Sequence, residues 1–268
     1  MNRLRATVMV RRMKRDVLAE LPAKSRQMIE LPAGSAEALV EREWSSYRAQ
    51  EAVLVQMREA ARTATVAGND EEYARAVKDL GRARTAAFAA MATVRRDVAM
   101  KKLPLVIAHL ADSLAPAHKI VVFAHHHDVI NAVHAAFEEC SVVVTGDTPS
   151  EQRHENVRRF QEDPQVLLFV GNIQAAGVGV TLTAASHVVM SELDWVPARL
   201  TQAEDRCHRI GQSDNVLVQH LVLEGSLDAV MARRLIEKQE MADKSLNVRR
   251  PVGIPVGAGA AATADRIV

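Results

Sequence analysis

The chain has 268 residues, a formal net charge of +1, 48% hydrophobic residues and only 3% aromatics. That length holds one large domain or two small ones with a proper core, built here from Ala, Val, Leu, Ile and Met, and the near-zero charge excludes a globally basic nucleic-acid binder and leaves only local patches. Cys140 and Cys207, without CxxC spacing, fit free thiols in a reducing compartment, and the lack of any run of about 18 apolar residues or of a secretory signal reads as soluble and intracellular, in cytoplasm or nucleoid, or in the nucleus of a eukaryote.

Leu4 to Leu31 is locally basic, with Arg11, Arg12, Lys14 and Arg15 close together. Those charges fit a solvated helix or a functional surface equally well. Pro22 and Pro32 punctuate the stretch, because the residue before a proline is pushed out of the helical region. Gln27–Leu31 predicts a short strand. Ser35 to about Lys102 is rich in Ala, Glu and Arg, which are good helix formers. Gly68-Asn69-Asp70 breaks it, so a helical hairpin is expected. Asp70-Glu71-Glu72 follows no apolar strand and reads as a solvated helix start rather than an acidic metal box.

From Pro104 onward, short apolar runs alternate with helical segments. The runs are Lys119–Ala124, Ser141–Thr145, Val166–Val170, His187–Met190 and Val216–Val222. They are continuous rather than alternating, as strands buried on both faces should be. Helices are expected over Asp128–Glu139, Ser150–Gln161 and Pro197–Ile210, with Ser150 as a cap ahead of Glu151-Gln152-Arg153. Strand-helix alternation argues an α/β fold with a parallel, doubly wound sheet. Asp228–Lys244 is a further helix packing back on it. Beyond Asn247 the Pro-, Gly- and Ala-rich sequence offers little to bury and reads as a disordered tail. The expected organisation is a basic linker (1–33), a helical insertion (34–103), the α/β lobe (104–247) and the tail (248–268).

In Leu200–Gln212, the residues Gln202, Arg206 and Arg209 stand at offsets of four and three. On a helix those offsets share one face. Two aligned guanidiniums grip phosphate oxygens well, because arginine is always charged and offers a planar fork of donors. From spacing alone the plainer reading is a solvated amphipathic helix with Glu204 and Asp205 as the arginines' partners. Gly177 and Gly179 allow close backbone approach, and Asp194 follows a strand, where α/β ligand sites gather. The run His125-His126-His127 is not read as a metal site, since consecutive side chains on a helix point different ways. No Gly-x-x-x-x-Gly-Lys-Ser/Thr loop and no Asp-Glu box ending a strand is present. The chain therefore lacks the parts that hold a triphosphate and its magnesium.

Gln202-Ala-Glu-Asp-Arg-Cys-His-Arg-Ile-Gly-Gln212 resembles the sixth motif of Swi/Snf-type (superfamily two) helicase-like ATPases. Ala176–Thr183 resembles their fifth motif, Glu192–Pro197 the segment between, and Lys119–His127 the fourth. Met9–Lys24 resembles the linker entering the second lobe, and Gly146–Arg153 has the family's Gly, Thr and Arg at matching spacing. Thr181–Ala185 and Leu193–Pro197 lean toward the annealing-helicase-like branch. Asn172-Ile173-Gln174 departs from the Ser or Thr and Lys common there, which bears on one DNA contact and not on the fold.

The resemblance implies a C-terminal RecA-like lobe with a protruding helical insertion. It implies ATP and Mg2+ held mainly by an N-terminal lobe, in cis or in trans. Arg206 and Arg209 would reach the triphosphate as arginine fingers, with Gln202 orienting them or the attacking water and Asp205 positioning an arginine. Gly177, Gly179, Asp194 and Asp205 would line the ATP cleft. Gly146, Thr148, Thr181 and Thr183 would contact the backbone of double-stranded or branched DNA, and Arg153 would either do the same or clamp its helix. Efficient ATP turnover by this chain alone is not expected. Because the sequence opens on Met1, a natural split gene is one expectation, and a non-catalytic DNA-binding or adaptor protein is the alternative function.

Overall fold

A computed structural model describes residues 20–66, 70–114, 119–174, 179–194 and 196–246. The basic cluster Arg11–Arg15, the hairpin turn at Gly68-Asn69, Gly177, Trp195 and the expected tail lie outside the described residues. In chain order the elements are β1 (Lys24–Leu31), α1 (Glu37–Val66), α2 (Asp70–Leu114), β2 (Ile120–Ala124), α3 (His127–Ala136), β3 (Ser141–Val144), α4 (Ser150–Glu162), β4 (Leu168–Asn172), β5 (His187–Met190), α5 (Pro197–Glu204), β6 (Val216–Leu223) and α6 (Leu227–Leu246).

The six strands form one sheet in the order β1-β6-β5-β2-β4-β3. Every pairing is parallel. Both faces are covered, which is why the strands read as unbroken apolar runs. Val121, Phe123, Phe169, Val188, Met190 and Val218 pack with Phe160 of α4, Leu200 and Ala203 of α5 and Ala229 and Ala232 of α6. The alternate residues Ile120, Val122, Leu168, Val170, Val189 and Leu221 pack with Val106 and Leu110 of α2 and with Ile130 and Val133 of α3. This is the α/β lobe expected from the sequence. The chain leaves β2 toward β3 and β4, then reverses to β5 and β6. The carboxyl ends of β4 and β5 therefore flank that of β2, at the switch point where ligands bind in open α/β sheets.

Several local expectations are corrected. α2 does not stop at Pro104; it runs through it to Leu114. Proline removes one helical hydrogen bond, but the turns beyond it bury Val106 and Leu110 completely against the sheet. That burial outweighs the break. The strand expected at Gln27–Leu31 begins at Lys24 and pairs with β6 along its whole length. The end of the expected linker thus forms an edge of the sheet. Ser150 is not a cap: the residue before the helix is Pro149, and no side chain caps it. The helix expected over Pro197–Ile210 ends at Glu204.

The α1–α2 hairpin is pinned where β5 and β6 end. Arg95 Nη2 donates to the Leu193 carbonyl at 2.8 Å and to Asp228 at 2.6 Å. Lys102 donates to the Leu221 carbonyl at 2.7 Å, and the carboxylate of Glu43 accepts the Leu227 N–H at 3.0 Å. Burial raises the Glu43 pKa to about 7, helped by Asp228 and opposed by the Leu227 N–H, Arg95 and Lys102. Among the described residues no helix is long and apolar enough to cross a membrane.

Candidate functional site

The carboxyl ends of β2, β4 and β5 are joined by polar side chains. Glu192, just past β5, accepts the backbone N–H groups of His125 and His126 with one oxygen, both at 2.9 Å. Its other oxygen lies 2.5 Å from His126 Nδ1. Burial pushes the Glu192 pKa up, but the hydrogen bond and charge of His126 outweigh it and hold the pKa below the usual range. His125 and His126 of the histidine run thus serve a carboxylate. Among the described residues no group of three His, Cys, Asp or Glu is placed to hold a metal ion.

Asp194 is 3% exposed and lies between β5 and α5. It accepts the Val196 N–H at 2.7 Å and pairs with Arg199 at 3.1 Å. Gly146 and Thr148 follow β3. There Thr148 Oγ1 accepts the Thr145 N–H at 2.9 Å, and Arg153 reaches the Thr145 and Thr148 carbonyls at 3.4 and 3.3 Å. In this lobe Arg153 clamps the start of its own helix. Gly179 follows β4 with φ +50°, a left-handed conformation that a side chain would strain.

The arginine segment lies elsewhere. Because α5 ends at Glu204, Gln202 stands on the helix while Arg206 and Arg209 follow in turns. The three do not share one helical face. Their segment is instead knitted to the loop before β5. The Leu182 N–H donates to the Arg206 carbonyl at 2.9 Å. Gln212, 7% exposed, donates to the carbonyls of Ala185 at 2.8 Å, Cys207 at 3.2 Å and Thr183 at 3.3 Å. Gly211, at φ +99°, comes to the Thr183 side chain, where an added Cβ would sit 4.0 Å away. The Thr183 hydroxyl accepts from Gln161 at 3.2 Å.

The predicted residues therefore fall into two groups. Gly146, Thr148, Gly179 and Asp194 follow the carboxyl ends of strands. Thr183, Arg206 and Arg209 lie where β5 and β6 begin. The run from Ser150 to Gln161 puts about 17 Å of helix between Thr148 and the Thr183 contact, at 1.5 Å per residue.

What sequence reasoning missed is the anchor of the arginine segment. Glu204, with a fully buried side chain, takes Arg26 through both oxygens at 2.9 and 2.5 Å and Lys24 at 2.9 Å. Lys24 also reaches Asp205 at 3.0 Å. His208 Nε2 lies 2.7 Å from the Pro22 carbonyl. Burial raises the Glu204 pKa, but Lys24 and Arg26 outweigh it and hold it below the usual carboxylate range. His220 is fully buried with its Nε2 4.0 Å from Glu204, and burial drives its pKa down to about 4. Its two ring nitrogens have no hydrogen-bond partner. Burial likewise pushes the Cys207 thiol up. The period-two spacing of Lys24 and Arg26 on a short strand was the one available signal.

The lobe is an all-parallel, doubly covered sheet whose loop before the fifth strand is locked to a Gln-x-x-x-Arg-x-x-Arg segment. Residues 101–211 match the family of the helicase conserved C-terminal domain. The chain is 33% identical over 255 residues to the DNA annealing helicase and endonuclease ZRANB3 of Bos taurus, covering 93% of this chain and 21% of that protein. It is 30% identical over 241 residues to the SWI/SNF-related matrix-associated actin-dependent regulator of chromatin subfamily A-like protein 1 homolog of Caenorhabditis elegans, covering 87% and 31%. A crystal structure of the C-terminal part of the Fun30 ATPase domain aligns at TM-score 0.46 and 23% identity, covering 51% of this chain and 45% of that one. The chain matches the C-terminal lobe of Swi/Snf-type helicase-like proteins, and its similarity runs toward the annealing-helicase branch. It spans about a fifth of the length of the bovine relative.

Proposed function

We propose that this chain is the second motor lobe of an ATP-dependent double-stranded-DNA translocase or helicase. The observation that carries this reading is the lock between the loop before β5 and the arginine segment, through the Leu182–Arg206 and Gln212 hydrogen bonds. It gives Arg206 and Arg209 a fixed base beside Thr181 and Thr183, so nucleotide and DNA contacts would move as one piece. Arg206 and Arg209 supply charge to the γ-phosphate as it transfers, the role of an arginine finger, worth about 10³–10⁵ in rate where measured. Gln202, at the end of α5, orients them or the attacking water, and Asp205 positions an arginine. Gly177 and Gly179, on the loop leading to Leu182, line the cleft toward the partner lobe, whereas Asp194, past the carboxyl end of β5, stands at the opposite end of that strand from the arginines.

The two guanidiniums fit a triphosphate's charge. Mg2+, which neutralises charge on the phosphates, is assigned to an N-terminal lobe because this sequence carries no Gly-x-x-x-x-Gly-Lys-Ser/Thr loop. Thr181 and Thr183 contact DNA phosphates beside the arginines, and Gly146 and Thr148 do so at the far end of α4. Such contacts position a duplex without reading its sequence. Branched DNA is a second substrate of the same chemistry.

Two assays on the same preparation test this. The chain binds duplex DNA with an affinity that falls as salt rises. When a Swi/Snf-type first lobe is supplied, DNA-stimulated ATP turnover appears. Duplex binding with no turnover under any first lobe would favour an adaptor, and an absence of both would refute the motor reading.

A further inference from the structure

We infer that Lys24 and Arg26 are positioning residues for the arginine segment, fixing Arg206 and Arg209 through the carboxylates of Glu204 and Asp205. The inference rests on the motor reading and names residues that reading does not supply. α5 stops at Glu204, so no helix holds the arginines that follow. Backbone turns hold part of the segment: the Cys207 and His208 N–H groups both donate to the Glu204 carbonyl at 3.1 Å. The rest comes from β1. Lys24 and Arg26 alternate along that strand, so both point to the face that carries α5. Arg26 grips Glu204 in a fork of two hydrogen bonds, and Lys24 bridges Glu204 to Asp205. A third tie joins His208 to the Pro22 carbonyl.

The attachment is nearly dry: the side chains of Lys24, Arg26 and Glu204 are 13%, 7% and 0% exposed. Buried ion pairs are weak contributors to net stability, because desolvation offsets their attraction. Two cations and two carboxylates at this point gain more in geometry than in stability. A planar fork on a buried carboxylate fixes orientation as well as distance. Glu204 and Asp205 directly precede Arg206. A shift of β1 against β6 is therefore a shift of Arg206, which couples the strand by which the chain enters the lobe to the finger at its cleft.

The test is a double-mutant cycle in the motor formed with a Swi/Snf-type first lobe. Lys24→Ala and Arg26→Ala should each lower kcat for DNA-stimulated turnover by about 10- to 100-fold, the cost of a misplaced group near 1 Å. KM for ATP should stay within about twofold, and Lys24→Arg should restore most of kcat. Lys24→Ala added to the paired Arg206→Ala and Arg209→Ala changes should be no slower than those two changes alone, since a positioning residue then has nothing left to position. Losses that multiply, or a kcat unchanged by either alanine, overturn the inference while leaving the motor reading intact. If Arg206→Ala itself leaves turnover unchanged, the finger assignment falls, and hydrogen exchange on the chain alone decides the positioning. Lys24→Ala should then speed exchange of the Cys207 and His208 amides and leave those of β2 and β4 protected. Uniform acceleration, or none, overturns it.

Discussion

Glu43 and His220 should tilt the stability of this lobe in opposite directions over the same pH range. The Glu43 carboxyl is pushed up from 4.5 to about 7. Between those values the unfolded chain has lost a proton that the folded chain keeps, so stability falls as pH rises. The His220 imidazole is pushed down from 6.5 to about 4. There the unfolded chain holds a proton that the folded chain lacks, so stability rises with pH. Integrated from about pH 5 to pH 8, Glu43 costs about 2.5 kcal/mol and His220 returns about 2 kcal/mol, at 1.36 kcal/mol per unit. The two nearly cancel in the parent chain. Glu43→Gln keeps an acceptor for the Leu227 N–H and removes the titration. Relative to the parent, it should gain about 2.5 kcal/mol between those pH values, a shift of about 1 M in urea midpoint. His220→Leu should lose about 2 kcal/mol relative to the parent over the same interval. The assay is urea unfolding of all three proteins at both pH values. A Glu43→Gln curve that runs parallel to the parent at every pH would refute the reasoning.

Other substitutions probe the packing and the buried charges. Glu204→Ala leaves Lys24 and Arg26 buried without their carboxylate and should destabilise by about 3–5 kcal/mol in chemical denaturation. Because Glu204 is held below the usual carboxylate range, its contribution is present above that range and lost as pH falls through its folded pKa. The alanine variant should therefore show a flatter acid limb than the parent. Gly171→Ala brings a Cβ to 2.9 Å from the Phe169 ring and 3.2 Å from that of Phe123. Both rings are buried and have little room to yield, so a loss of about 1–3 kcal/mol is expected from thermal unfolding.

The sheet was legible because β2 to β6 are short apolar runs whose neighbours cover both faces, and such strands advertise themselves. β1 was legible only in its last residues. Its first half alternates Lys24 and Arg26, which reads as solvated linker unless the buried Glu204, 178 residues away from Arg26, is known to face it. The continuation of α2 past Pro104 was hidden because local sequence marks a proline as a stop, while the burial that overrides it comes from the sheet. The motifs at 176–183 and 202–212 carried the family. Periodicity placed Gln202, Arg206 and Arg209 on one helical face, and it failed there because spacing does not reveal where a helix ends. The turn after Glu204 is held by side chains from β1, by Leu182 and by Gln212, none of which a local window contains.

In the proposed motor, this lobe supplies positive charge to a nucleotide held by another lobe. Turnover at saturating ATP and duplex DNA, with a Swi/Snf-type first lobe present, tests it most directly. Arg206→Ala should lower kcat by about 10³-fold or more with little change in KM, as for an arginine acting mainly in the transition state. A kcat within about twofold of the parent would contradict it.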